Sequence, residues 1–196
     1  MEYVLTQQRG TIFEIILNRP DKRNALTVQM LQAVAQACAT AERTPGVRAI
    51  VLRGEGKGFC AGADLASMGG MPEALGDDWR GQGYTATRMW QENIHRLQLS
   101  PLPTLALVHG YTLSGGLELA LGCDLRIAAE DTLLGLEEAQ LGIIADAGGT
   151  TRLTTLIGPS RAKELLFTGR RIDAITAERW GLVNQVVAPR GPIGRR

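Results

Sequence analysis

Two stretches of this chain share one build: an aliphatic, β-branched run that ends in a glycine-rich turn. The first is Val47–Leu52 (VRAIVL), with glycines at 54, 56, 58 and 62 behind it. The second is Thr104–Val108 (TLALV), which runs into HGYTLSGGLELA, His109–Ala120. Short apolar runs bounded by glycine read as buried strands. Before the first of them, Thr11–Leu17 (TIFEIIL) reads as another strand, ended by Asn18–Pro20. Between the two lies Val28–Ala41, where Val28, Leu31, Val34, Ala35 and Cys38 recur at helical spacing. Thr27 or Asn24 is placed to cap that helix, and Pro45-Gly46 breaks it. Strand, helix, strand at this spacing is a βαβ-like unit, so the fold class is α/β.

The same pattern continues. Thr85–Leu99 reads as a helix with Met89, Trp90, Ile94 and Leu97 on one stripe, stopped by Pro101 and Pro103. Leu117–Leu121 reads as a short apolar helix and Asp124–Ala129 as a strand. Thr150–Ile157 and Pro159–Phe167 read as two helices, the second opening on proline. Thr176–Trp180 reads as a short helix capped by Thr176, and Val183–Val187 as a last strand. Ser67–Gly83 shows no period and is expected to be a mobile surface segment. The Pro/Gly/Arg-rich tail, Ala188–Arg196, is expected to fray. Neither a repeat nor a linker divides the 196 residues, so residues 1–196 are expected to form one domain.

Composition narrows the function. Twenty-one Lys and Arg against twenty Asp and Glu give +1, which supports no nucleic-acid partner. No apolar run reaches the roughly 18 residues of a membrane span, and the polar opening MEYVLTQQRG lacks the apolar core of a secretory signal. Three widely spaced cysteines suit a reducing cytoplasm rather than a disulfide framework. The chain carries no phosphate-binding G-x-x-x-x-G-K-[ST], no G-x-G-x-x-G and no G-x-S-x-G. His95 and His109 share no metal-ligand spacing with Cys60 or Cys123, and His95 reads as a surface or packing residue.

The two glycine turns remain. At Gly115-Gly116 a loop passes straight into a helix, whose free N–H groups attract negative charge. A second turn, GFCAGADL (Gly58–Leu65), could aim another N–H at the same oxygen, which would make an oxyanion hole. Acidic residues stand in apolar, glycine-flanked places: Glu118 in LELALG, Glu137 and Glu138 after Gly135, and Asp146 in IIADAGG. Carboxylates there are costly unless paired or used.

These segments, with LNRPDKRNALT (Leu17–Thr27), AGGTTRL (Ala147–Leu153) and FTGRRIDAITAERWGLVNQVV (Phe167–Val187), resemble the enoyl-CoA hydratase/isomerase (crotonase) superfamily. The likeness runs from about residue 11 to 187. It implies a spiral of ββα units, an acyl-CoA thioester as substrate, and homotrimers or hexamers. By motif, the two N–H donors to the thioester oxygen fall on Ala63 and Gly115. The pair of glutamates that holds a water in hydratases falls on Glu118 and, twenty positions on, Glu138. Glu137 is expected to be a solvated neighbour. Ala61, Ala63, Asp64, Leu65 and Ala66 fall where the family wraps coenzyme A, with Lys22, Arg23 and Lys57 as phosphate partners. The family reaction needs no cofactor, since coenzyme A arrives with the substrate.

Two positions depart from the hydratase pattern. Asp146 stands where many hydratases have glycine. Dienoyl-CoA isomerases pair the equivalent of Glu138 with an aspartate eight positions on, where Asp146 stands, but they carry aspartate at the place of Glu118. The leading expectation is an enoyl-CoA hydratase. The alternatives are an enoyl- or dienoyl-CoA isomerase using Glu138 and Asp146, or a catalytically impaired acyl-CoA binder. The apolar run Ile143–Ala145 before Asp146 predicts that its carboxylate faces the acyl pocket rather than bulk water. Family members continue past this point into helices, so the chain is expected to lack the C-terminal helical part.

Overall fold

The computed structural model describes residues 2–68 and 79–188. Six strands form the main sheet, in the order β1 (Val4–Arg9), β2 (Ile12–Leu17), β3 (Ala49–Gly54), β4 (Thr104–Val108), β6 (Leu125–Ala129) and β9 (Gln185–Val187). β1 is antiparallel to β2, and every later pairing is parallel. Ile15, Leu17, Ile50, Leu52 and Ala106 along the inner strands are wholly buried, as expected for a parallel sheet covered by helices. The predicted βαβ unit is present, with α1 (Val28–Arg43) joining β2 to β3. Thr27 is its cap, accepting the Met30 N–H at 3.2 Å.

A small second sheet holds β5 (Tyr111–Leu113), β7 (Leu133–Gly135) and β8 (Ile172–Asp173). The chain alternates between the sheets. β4, β5 and α4 (Gly115–Leu121) form one ββα unit; β6 and β7, followed by α5 (Gly149–Thr168), form another. This is the spiral that the resemblance implied.

Several expected boundaries move. The helix expected from Thr85 is α3 (Trp79–Gln98), so the end of the segment expected to be mobile is helical. Its start is too, since Leu65–Met68 forms a single turn, α2; most of the rest lies outside the described residues, as does the tail from 189. α4 starts two residues before Leu117, because Gly115 and Gly116 already adopt helical backbone. α5 contains both expected helices, parted at Gly158, whose φ of 78° breaks the helical run before Pro159. α6 (Ala174–Trp180) is capped by Asp173, whose carboxylate accepts the Thr176 N–H at 2.7 Å. Thr176 is therefore inside the helix rather than its cap. β1, β5, β7 and β8 were not anticipated: β1 is polar and largely exposed, and the other three have only two or three residues each.

Candidate active site

The two glycine turns meet because their backbones pair. Phe59 N donates to His109 O at 2.9 Å, Cys60 N to Tyr111 O at 2.9 Å, and Leu113 N to Cys60 O at 3.0 Å. This pairing requires residues without side chains. A Cβ at Gly110 would lie 2.1 Å from Lys57 O, and one at Gly116 would lie 2.5 Å from Cys60 O. Asn24, wholly buried, holds the first turn from beneath. Its Nδ2 donates to the carbonyls of Glu55, Gly58 and Phe59 at 2.9–3.0 Å, while its Oδ1 accepts the Arg19 N–H at 2.8 Å. In the sequence Asn24 shows only as a possible cap; nothing local reveals that its side chain reaches thirty residues ahead.

Ser114 turns the chain into α4 with φ 50° and ψ −129°, a conformation that favours glycine and concentrates at functional sites. The turn delivers the Gly115 N–H beside that of Ala63. A Cβ on Gly115 would lie 3.6 Å from Ala63 N, and one on Gly62 would lie 3.6 Å from Gly115 N. Among the described residues, neither N–H donates a hydrogen bond. The Trp90 ring of α3 covers the spot, 3.1 Å from where a Gly115 Cβ would be.

Both glutamates sit on the elements that border this place. Glu118 lies one turn into α4 and is only 3% exposed; its Oε1 accepts the Gly149 N–H at the start of α5, at 2.8 Å. Glu138 opens a single 3₁₀ turn (Glu138–Leu141). Pairing of β5 with β7 brings that turn alongside α4: Ser114 N donates to Gly135 O at 2.8 Å and Glu137 N to Ser114 Oγ at 3.2 Å. Glu138 is 8% exposed, and its Oε2 has no hydrogen-bond partner among the described residues. A buried carboxylate oxygen left free is costly unless it serves chemistry.

Burial pushes the Glu118 carboxyl up to about 8, with the charges of Glu138 and Asp146 adding to the rise and the Gly149 N–H opposing it. Burial also raises Glu138, again with help from Asp146 and Glu137. The three carboxylates therefore share one electrostatic neighbourhood, in which at least one holds a proton near neutral pH.

Asp146 itself corrects the sequence expectation. It is exposed, its Oδ2 accepts from Thr87 Oγ1 at 3.2 Å, and its carbonyl accepts from Gln91 Nε2 at 2.8 Å. The apolar run before it does not bury it, because Ile143 and Ile144 are themselves exposed, 48% and 70%. Glu137 is also not free in solvent: Arg171 forks onto both its oxygens.

The expected coenzyme A residues lie at the mouth of the first turn. Ala61 N donates to Arg23 O at 3.0 Å, which sets the exposed Lys22 and Arg23 beside it. Lys57, Leu65 and Ala66 are exposed. The Asp64 carboxylate is committed to Arg19 at 2.5 Å and to the Ala66 N–H, and the arginine holds its carboxyl below the usual range. His95 is exposed on α3, beside Gln98 and Arg152.

A double sheet of this spiral form, with two unpaired N–H groups at the start of the helix that carries the buried Glu118 and beside the turn that leads to the buried Glu138, defines the class. The chain belongs to the enoyl-CoA hydratase/isomerase family, whose model matches residues 7–191. It is 44% identical over 176 residues to the Bacillus subtilis protein YngF, named for the same hydratase/isomerase family, covering 89% of this chain and 65% of that one. It is 42% identical over 185 residues to the mouse mitochondrial enoyl-CoA hydratase domain-containing protein 2, covering 94% and 60%. The chain thus spans less than two thirds of either relative. The solved enoyl-CoA hydratase of Bacillus anthracis superposes with a TM-score of 0.87 at 39% identity, covering 95% of this chain and 70% of that one. That of Thermoplasma volcanium gives 0.87 at 36% identity, covering 95% and 72%. No described helix is long and apolar enough to cross a membrane.

Proposed function

We propose that this chain is an enoyl-CoA hydratase that adds water across the double bond of a 2-enoyl-CoA thioester. The observation that carries the reading is the convergence of Glu118 and Glu138 beside the unpaired N–H groups of Ala63 and Gly115. The thioester oxygen accepts from both N–H groups. As the water oxygen bonds to C3, the π electrons move toward that oxygen, and fixed donors stabilise the enolate-like charge selectively. One glutamate takes the proton from the attacking water, and the other delivers the proton to C2. Two carboxyls that burial raises above the usual range suit this division of labour. Lys22, Arg23 and Lys57 receive the phosphates of coenzyme A, and Ala61, Leu65 and Ala66 pass its pantetheine. No cofactor takes part.

A second reading is isomerisation by Glu138 with Asp146. The charge of Asp146 reaching both glutamates supports it; the exposure of Asp146 and the glutamate at 118 favour hydration. We further propose assembly as a homotrimer or hexamer, and a reducing cytoplasmic setting suited to three free, buried cysteines. Product analysis with crotonyl-CoA and a 3,5-dienoyl-CoA tests the reaction. Hydration of crotonyl-CoA, lost in Glu138→Gln while acyl-CoA binding persists, is expected. Isomerisation of the dienoyl-CoA with no water added to crotonyl-CoA would reverse the choice.

A further inference from the structure

We propose that Arg152 is a positioning residue for Glu118: it clamps the Ala147–Gly149 turn that holds Glu118 and sets a fixed positive charge near it. The inference rests on the catalytic reading of Glu118 but is testable apart from it.

Arg152 lies in the first turn of α5, and its side chain folds back over the chain that precedes the helix. Its Nη1 donates to Ala147 O at 3.0 Å and lies 1.8 Å from where a Gly148 Cβ would be. Gly148 has φ 110°, so both its backbone and its missing side chain serve to seat the guanidinium. The far edge is held as well, with Nε donating to Gln98 Oε1 at 3.1 Å and Nη2 3.5 Å from His95 Nδ1. The turn fixed in this way ends in the Gly149 N–H that Glu118 accepts. A Gly149 Cβ would lie 2.9 Å from Glu118 Oε1, so a small shift of the turn moves the carboxylate.

The guanidinium has no salt bridge of its own among the described residues. It is half-buried and close enough to Glu118 to feel its charge. Glu118 is thus faced by Glu138 from the 3₁₀ turn, Asp146 from the loop and Arg152 from α5. On the far side of Arg152, α3 contributes His95, Arg88 and Glu92 to the same cleft, and those last two pair with each other. Arg152 is then a cation close to Glu118, which Glu138 and Asp146 face as carboxylates. A planar fork that binds two acceptors at once is a task lysine cannot reproduce.

The test is an infrared titration of the full chain with ¹³C-labelled glutamate, the Glu118 band being assigned from the difference against Glu118→Gln. Removing a nearby cation disfavours the ionised carboxylate. Arg152→Met is therefore expected to move the Glu118 midpoint upward, and to lower kcat on crotonyl-CoA about tenfold with KM nearly unchanged. Arg152→Lys keeps the charge but loses the clamp, so kcat falls while the midpoint stays. An unmoved midpoint in folded Arg152→Met overturns the proposal. Should Arg152→Met fail to fold, Gln98→Ala, a surface change that frees Nε and keeps the charge, is expected to lower kcat by less than Arg152→Lys, with KM and the midpoint unchanged. Wild-type behaviour of both Gln98→Ala and Arg152→Lys would then overturn it. Wild-type turnover in Glu118→Gln would instead sink the reading of the reaction and leave the titration result standing.

Discussion

Replacing Glu118 by glutamine should make the protein more stable, by an amount that grows with pH. The Glu118 carboxyl rises from 4.5 to about 8 on folding, mainly through burial. A carboxyl whose folded value is raised contributes its full stability below the unfolded value and loses it as pH climbs through the folded one. At about 1.4 kcal/mol per unit, ionising Glu118 in the folded state costs roughly 5 kcal/mol, of which about 3 kcal/mol is already lost at pH 7. Glutamine has nearly the same shape, carries no charge, and keeps an oxygen for the Gly149 N–H. The stability gained over wild type should therefore climb from under about 1 kcal/mol at pH 5 to roughly 5 kcal/mol at pH 9. For a domain of this size, 3 kcal/mol at pH 7 corresponds to a rise in Tm of about 6–12 °C. Glu138 shifts in the same direction in both proteins and largely drops out of the comparison. Urea melts of wild type and Glu118→Gln at pH 5, 7 and 9 measure the difference. Parallel stability across that range, or a less stable variant at pH 9, would refute the argument that the carboxylate is held in place against its own desolvation.

Gly116→Ala should lose about 10- to 100-fold in kcat while remaining folded, because its Cβ would lie 2.5 Å from Cys60 O and force apart the turns that carry the two N–H donors. Its melting temperature should fall only modestly, since overpacking of about 1–3 kcal/mol is offset by about 1 kcal/mol of helix propensity; unchanged kcat would show that the turns do not act as a unit. Asn24→Ala removes the partner of three carbonyls, two of them buried, and should cost about 2–4 kcal/mol in a urea melt; a loss under about 1 kcal/mol would mean that water takes over those groups. Asp146→Asn, exposed and bonded to Thr87, should leave hydration of crotonyl-CoA within about tenfold, since no proton of that reaction passes through it. A loss of roughly 10²–10⁴ in an isomerase rate would instead make it a proton-transfer partner of Glu138.

The sequence by itself determined the strands and helices whose hydrophobic pattern is continuous. Thr104–Val108 falls where the apolar run places it, and the helix from Val28 starts behind Thr27 as its cap predicts. It also marked the two glycine turns and the four acidic residues set among apolar neighbours, because glycine and a misplaced carboxylate are local signals. Only the tertiary structure decided how these parts meet. β5 and β7 have three residues each, too few for a period, yet their pairing brings Glu138 beside Ser114. Asn24 and Arg152 act on chain segments distant in sequence or folded back in space, and one side chain leaves no pattern to read. Asp146 shows the converse: its apolar neighbours suggested burial, but whether a short run is buried depends on what packs over it. Periodicity reports which face of an element is apolar, whereas the approach of one element to another is set by contacts that the linear chain does not contain.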